Sequence, residues 1–323
     1  VPNASIGVDV GGTKIAAGLV NAQGQIVCRG QRPTPAGSPT DILRGIADAV
    51  NEVIQTSGLK REQVEAIGLG IPGLVDPATG IGIVSVNLHW HDVPVKRVLE
   101  EMLGKPCFID NDVKVAALGE FRHGQGQGLS SMVYLSIGTG IAAHLILDGK
   151  LYRGPNGMAG EIGHAVIDRH GPRCNCGAQG CLEALASGPA IAARATAKIN
   201  AGRASSLVRM ATAQQEPITA EQVFAAAANG DPLALETTEE TGSYLADAIQ
   251  ILIMMLDPQL VVLGGGVARS GDLLLSPIRR SLERQAAQSY VFRQAFAPER
   301  VQLTRLGGDA AILGAASLVT AGF

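Results

Sequence analysis

The residues best suited to chemistry crowd into positions 161–183: Glu161-Ile-Gly-His164, then Cys174-Asn-Cys176-Gly-Ala-Gln-Gly-Cys181-Leu-Glu183. Three of the five cysteines fall here, downstream of a histidine, and thiolate with imidazole is the donor set of a closed tetrahedral zinc site. Gly177 and Gly180 permit the sharp turns that let Cys174, Cys176 and Cys181 reach one ion with His164. Such an ion would fix the carboxylates of Glu161 and Glu183 on either side of it, shaping a loop that grips a polar substrate. A disulfide fits poorly, since three cysteines leave one unpaired and nothing else marks a secreted chain. Cys28 and Cys107 lie in apolar runs and are expected as core thiols.

Glycine turns supply a second kind of chemistry. Asp9 precedes Gly11-Gly12-Thr13-Lys14, placing a carboxylate beside exposed backbone N–H groups, which suits a phosphate chain with Mg²⁺. Gly138-Thr139-Gly140 offers another such turn, and Gly264-Gly265-Gly266 a surface on which a base or ribose could lie. Together the three turns favour nucleotide binding. Asp110-Asn111-Asp112 is expected at a strand end before a helix, where ligands of α/β sheets bind. One residue there, Asp110 or Asn111, would cap the helix, leaving Asp112 to accept a hydroxyl proton during phosphoryl transfer.

The elements that must position these groups follow from periodicity. Strands are expected at 6–10, 15–20 and 26–30 as a hairpin meander, so Gly11-Gly12-Thr13-Lys14 is not a Walker loop. A helix starts at Thr40 as its cap. A strand at 64–69, a loop at 87–91, a helix at 94–103, a strand at 106–109 and a helix at 113–121 follow. Strands at 132–137 and 141–147 flank Gly138-Thr139-Gly140. Helices are expected at 187–200, 219–229, 231–256, 270–288 and 309–319, with strands at 260–263 and 301–303. The stretch 204–217 shows no clear pattern. Ile15-Ala-Ala-Gly-Leu-Val20 and Ile141-Ala-Ala-His-Leu-Ile146 each follow a glycine–threonine turn, which predicts two halves of similar build.

Composition sets the outer limits. A chain of 323 residues, 46% apolar, is long enough for two cores. A net charge of −3 with 3% aromatic residues gives no footing for nucleic acid or an anionic membrane. No apolar run reaches spanning length and Val1-Pro2-Asn3 shows no signal pattern, so a soluble cytoplasmic protein is expected.

The motifs resemble, in family order, those of ROK (repressor, open reading frame, kinase) sugar kinases, and within that family the bacterial glucokinases. They are Asp9-Val-Gly-Gly-Thr-Lys14, Gly70-Ile-Pro-Gly73, Ile109-Asp-Asn-Asp112, Ser136-Ile-Gly-Thr-Gly-Ile141, Glu161-Ile-Gly-His164, the cysteine run to Glu183, and Leu263-Gly-Gly-Gly266. The resemblance implies an actin-like ATPase (ribonuclease-H-like) α/β fold with two domains flanking a cleft. The expected domains are 1–118 joined by 309–323, and 119–308. It implies phosphorylation of glucose by ATP with Mg²⁺, Asp112 as base, and phosphates at Asp9, Gly11, Gly12, Thr13, Lys14 and Gly138-Thr139-Gly140. Gly73, Asn87, Asn111, Glu161, His164 and Glu183 would hold the sugar. Structural Zn²⁺ would sit on His164, Cys174, Cys176 and Cys181, with a homodimer or homotetramer expected.

The chain departs from the family pattern at Lys114, charged and close after Asp112, and at His89 and His91. N-acetylmannosamine, N-acetylglucosamine and fructose are rival acceptors, since kinases of this family share the hydroxyl-gripping residues. A sugar-responsive regulator is the non-enzyme alternative, although strand residues begin by Ile6 with no helix-turn-helix before them. A zinc-dependent dimer contact with no substrate role is a third reading of the cysteine loop.

Overall fold

The structure is a computed structural model and describes residues 4–209 and 217–320. The chain forms two units, Val1–Gly128 with Arg305–Phe323, and Leu129–Thr304. The first crossing falls later than the expected 118/119 because the helix after Asn111 runs unbroken to His123.

The first unit opens with the strands β1 (Ala4–Val10), β2 (Lys14–Val20) and β3 (Ile26–Pro33), an antiparallel meander. Helix α1 (Pro39–Ser57) buries Ile42, Leu43, Ile46, Val50, Val53 and Ile54 on one face. Its cap is Ser38, not Thr40: the Ser38 hydroxyl accepts from Asp41 N, and the Asp41 carboxylate accepts from Ser38 N. Pro39 then occupies the first turn, where a missing N–H costs nothing.

β4 (Val64–Ile71) leads into a small sheet of β5 (Leu74–Asp76), β6 (Ile81–Ser85) and β7 (Trp90–Val93). The expected loop at 87–91 is therefore half strand. Trp90 and Val93 are buried while His91 and Asp92 are exposed, so the alternation that signals a strand is missing. Helix α2 (Val95–Leu103), β8 (Cys107–Asn111) and α3 (Asp112–His123) complete this part. The main sheet runs β3-β2-β1-β4-β8, with β4 parallel to both neighbours.

The second unit repeats the plan. β9 (Met132–Ile137), β10 (Ile141–Leu147) and β11 (Lys150–Tyr152) form a meander, and the sheet order is β11-β10-β9-β12-β13, with β12 (Leu260–Gly264) and β13 (Val301–Leu303) parallel. The echo between Ile15 and Ile141 is thus an echo of whole sheets. Helices α4 (Leu182–Ala186), α5 (Gly188–Asn200), α6 (Ala220–Ala228), α7 (Pro232–Leu256), α8 (Asp272–Gln288) and α9 (Tyr290–Ala295) accompany it. Part of the patternless stretch 204–217 lies outside the described residues. Among the described residues no helix is long and apolar enough to cross a membrane.

The chain then returns to the first unit as α10 (Asp309–Ser317), which crosses α3 at backbone contact. A Cβ on Gly314 would lie 1.6 Å from Val115 O, and one on Gly119 would lie 2.0 Å from Ala310 O. Because the obstruction is backbone and not a yielding side chain, Gly314→Ala must push the helices apart. We expect it to destabilise the first unit by roughly 3 kcal/mol or more in urea denaturation. A loss under ~1 kcal/mol would show that the crossing has slack.

Cys107 is fully buried, as expected, and burial pushes its thiol up to about 12. Cys28 is only partly buried and packs at the edge of the core, its Sγ 3.7 Å from Val53 O. It alternates with exposed neighbours on β3, whose outer face is wet.

Candidate active site

Strand register builds the acidic end of the first unit. Asp9 pairs with Gly70, and Gly70 with Asp110, so three adjacent strands end level with one another. Asp112 begins α3 one step beyond. A Cβ on Gly70 would lie 3.2 Å from Asp112 Cα, so only glycine lets the helix start this close to β4. Burial and the charge of Asp9 push the Asp112 carboxyl up to about 6, against the opposing pull of the Val113 N–H at 3.0 Å. Burial likewise raises Asp9, with Lys14 opposing it. Two carboxylates held in repulsion cannot both be comfortably ionised without a cation.

Asn111, and not Asp110, caps α3: its Oδ1 accepts from Val113 N at 3.0 Å and Lys114 N at 3.1 Å. Its amide nitrogen donates to Gly73 O at 3.0 Å. Asn111 therefore ties the Gly73 turn to the helix that presents Asp112. Asp110 is buried and accepts from Asn111 N at 2.8 Å. Gly73 sits at φ 103, where an added Cβ would strike Val84 O at 2.2 Å.

The Gly11–Lys14 turn closes through Gly11 N to Lys14 O at 2.8 Å. Gly12 and Thr13 are exposed, with N–H groups free to face an anion, and Asn87 packs against Gly12, its Cβ 3.5 Å from where a Gly12 Cβ would be. Thr34 clamps this turn: its hydroxyl donates to Gly11 O at 2.6 Å and its N–H to Thr13 O at 3.0 Å. Nothing in the sequence marked Thr34, because a hydroxyl bonding a carbonyl far back in the chain leaves no local pattern.

In the second unit the cysteine loop is folded by short backbone bonds. Gly177 N donates to Cys174 O at 3.0 Å, Cys174 N to Ala178 O at 2.8 Å, and Leu182 N to Ala165 O at 3.0 Å. Ligand atoms of His164, Cys174, Cys176 and Cys181 all lie within 4.8 Å of one another. Cys176 Sγ is 3.7 Å from Cys181 Sγ, and Cys174 Sγ is 3.9 Å from His164 Nδ1. Zn–S bonds of about 2.3 Å at tetrahedral angles separate two sulfurs by about 3.8 Å, so these residues fit one zinc. A disulfide, at about 2.05 Å, does not fit that spacing, and all five cysteines are free.

Both carboxylates lie within three residues of this cluster in sequence. Glu161 is exposed at the start of the short 3₁₀ turn Ile162–His164. Glu183 lies one residue after Leu182 in the first turn of α4, whose cap is Cys181. Glu183 Oε2 accepts from Ile141 N at 3.1 Å and would meet a Cβ on Gly140 at 2.6 Å. The Gly138–Gly140 turn and the cysteine loop are thereby joined.

A cavity of about 820 Å³ opens beside that turn. Gly138, Thr139 and Gly266 line it, whereas Gly140, Gly264 and Gly265 do not. Gly265, at φ 84, makes the bend that carries the chain past Ile137 O. The opposite wall is Thr219, Glu221, Phe224 and Ala225 of α6 with its cap, joined by Arg269 and Ser270. Sequence inspection missed this wall, since its residues read as an ordinary amphipathic helix.

The chain is similar to known proteins over nearly its whole length. The ROK family model matches residues 5–321. A glucokinase of Halalkalibacterium halodurans is 37% identical over 97% of this chain and 94% of its own length. One of Thermotoga maritima is 37% identical over 97% and 96%. The crystal structure of a ROK family glucokinase from Streptomyces griseus, in complex with glucose and AMPPNP, superposes with a TM-score of 0.80 at 34% identity, covering 99% of this chain and 100% of that one. A fold of twin β3-β2-β1-β4-β8 sheets, full-length sequence identity and ordered motifs all agree: the chain belongs to the ROK family and has the actin-like ATPase fold of its sugar kinases.

Proposed function

We propose that this protein is an ATP-dependent glucokinase that transfers the γ-phosphoryl group of ATP to the 6-hydroxyl of glucose. The observation that carries the reading is Asp112, a carboxylate at a strand-to-helix junction with its affinity for protons raised by burial and by Asp9. Glucokinase relatives at 37% identity over nearly the whole chain support it.

Asp112 takes the proton of the sugar 6-hydroxyl as that oxygen attacks phosphorus, and the ADP oxygen leaves with the bonding pair. Asn87, Asn111, Glu161, His164, Glu183 and the Gly73 turn hold the remaining hydroxyls. Gly11, Gly12, Thr13 and Lys14 offer N–H, hydroxyl and ammonium donors to the phosphates, as do Gly138, Thr139 and Gly140. The base and ribose enter the cavity lined by Phe224, Arg269 and Gly266, with Gly264 and Gly265 shaping the approach. Mg²⁺, held near Asp9 with the phosphate oxygens, would neutralise charge developing in transfer. Zn²⁺ on His164, Cys174, Cys176 and Cys181 would be structural. The soluble enzyme works on free hexose in the cytoplasm, as a homodimer or homotetramer.

An ADP-release assay over glucose, fructose, mannose, N-acetylglucosamine and N-acetylmannosamine tests the acceptor. Glucose should give the highest kcat/KM by at least about tenfold, the factor a single well-placed hydroxyl contact supports. A higher value for either N-acetylhexosamine would replace glucose as substrate.

A further inference from the structure

Glu120, on the third turn of α3, is fully buried and belongs to no part of the site described above. Its carboxylate spans two distant stretches of chain. Oε2 accepts from Gln125 N at 2.9 Å, and Oε1 accepts from Leu306 N at 2.8 Å. Gln125 lies just before the chain leaves the first unit after Gly128, and Leu306 just after it returns at Arg305. Gly124 N and Gly126 N both donate to the Glu120 carbonyl, at 3.0 and 2.9 Å. One residue thus holds both crossings, with each carboxylate oxygen assigned to a different one.

The surroundings are built for this. A Cβ on Gly124 would lie 1.9 Å from Oε2, so the carboxylate occupies the space any other residue would need. Beyond Leu306 the chain continues at once into α10, whose first residue, Asp309, is paired with Arg29 on β3. What a carboxylate alone provides is two equivalent acceptors for two N–H donors.

We propose that Glu120 is a positioning residue, the fixed pivot at which both crossings are tied to the helix that carries Asp112. Asp112 lies eight residues earlier on α3, roughly 12 Å along a rigid rod. Movement of the second unit on binding glucose is transmitted through residues 124–128 and 305–306, and the pivot keeps that movement from displacing the base. This role rests on the glucokinase reading for its substrate, though not for its geometry.

Glu120→Gln tests it. An amide has one acceptor oxygen, so its NH₂ faces one of the two backbone donors and that crossing comes loose. Small-angle X-ray scattering should show the wild type contracting with glucose and the variant contracting less. Turnover should fall roughly tenfold to a hundredfold while KM for ATP stays within about twofold, the signature of misplaced reactants and not of lost binding. If Glu120→Gln does not fold, Gly124→Ala, which crowds the same oxygen without changing charge, is carried through the same measurements. Unaltered contraction and kcat in a folded variant would reduce Glu120 to a buried cap. Absence of contraction in the wild type would also overturn the pivot, and wild-type turnover of glucose then decides separately whether the kinase reading survives.

Discussion

Asp112→Asn is expected to cut turnover of glucose by a factor of about 10²–10⁴ while leaving the affinity for glucose close to that of the wild type. Asparagine keeps the size and one acceptor oxygen of the side chain, so the start of α3 and its Asn111 cap should persist. What disappears is the proposed proton acceptor. In the wild type the same group sets a pH limb: with its carboxyl near 6, kcat/KM should fall tenfold per pH unit below that point. Stability should move the other way from activity. A carboxyl raised from 3.8 to about 6 binds more protons folded than unfolded, so its contribution is fully favourable below 3.8 and is lost as pH climbs through 6. At pH 7 the ionised Asp112 therefore weighs against folding, by about 2 kcal/mol when partial access of solvent is allowed for. Asp112→Asn should raise Tm by a few degrees at pH 7 and change it little at pH 4. A variant with near-normal turnover removes Asp112 as base; one that is slow but no more stable at pH 7 removes the electrostatic account of its environment.

How much of this was legible beforehand depended on whether the signal was local. The β1–β2 and β9–β10 hairpins were readable because apolar alternation and a glycine turn sit side by side in sequence. So was α7, opened by Asp231-Pro232 and closed near Asp257-Pro258. The cysteine loop was readable because all its candidate donors fall within eighteen residues. Ser38 was a missed local signal: serine three residues before Asp41, with proline between, is a capping box, and Thr40 drew attention only by lying next to the apolar run. β7 failed for a physical reason, since its middle two residues both face outward. The cavity wall on α6, the Thr34 clamp and the two hydrogen bonds that Glu120 accepts had no sequence signature. Each depends on residues that only folding brings within 3–4 Å.

Removal of one of the proposed zinc ligands should do comparable damage by a different route. We expect about one zinc per chain in the purified protein, and Cys176→Ala to lose it. Cys176 is the exposed cysteine of the set, so its replacement leaves no cavity in the core and isolates the effect of the metal. Without the ion, the turn at Cys174–Gly177 is left to backbone hydrogen bonds and weak thiol contacts, and His164 and Cys181 are no longer fixed to one point. Those two residues adjoin the short helical turns that bear Glu161 and Glu183. A shift of about 1 Å in groups that orient a reactant costs on the order of 10²-fold, so kcat/KM for glucose should fall by about that much. KM for ATP should move less, because Phe224, Arg269 and Gly266 belong to other elements of the second unit, and what change there is should come through the Gly138–Gly140 turn that Glu183 supports. Calorimetric titration with glucose and metal analysis of the same preparation check both halves. Full glucose affinity in a zinc-free variant would show that the metal shapes no sugar contact; if that variant also loses its oligomeric state, the loop serves assembly instead.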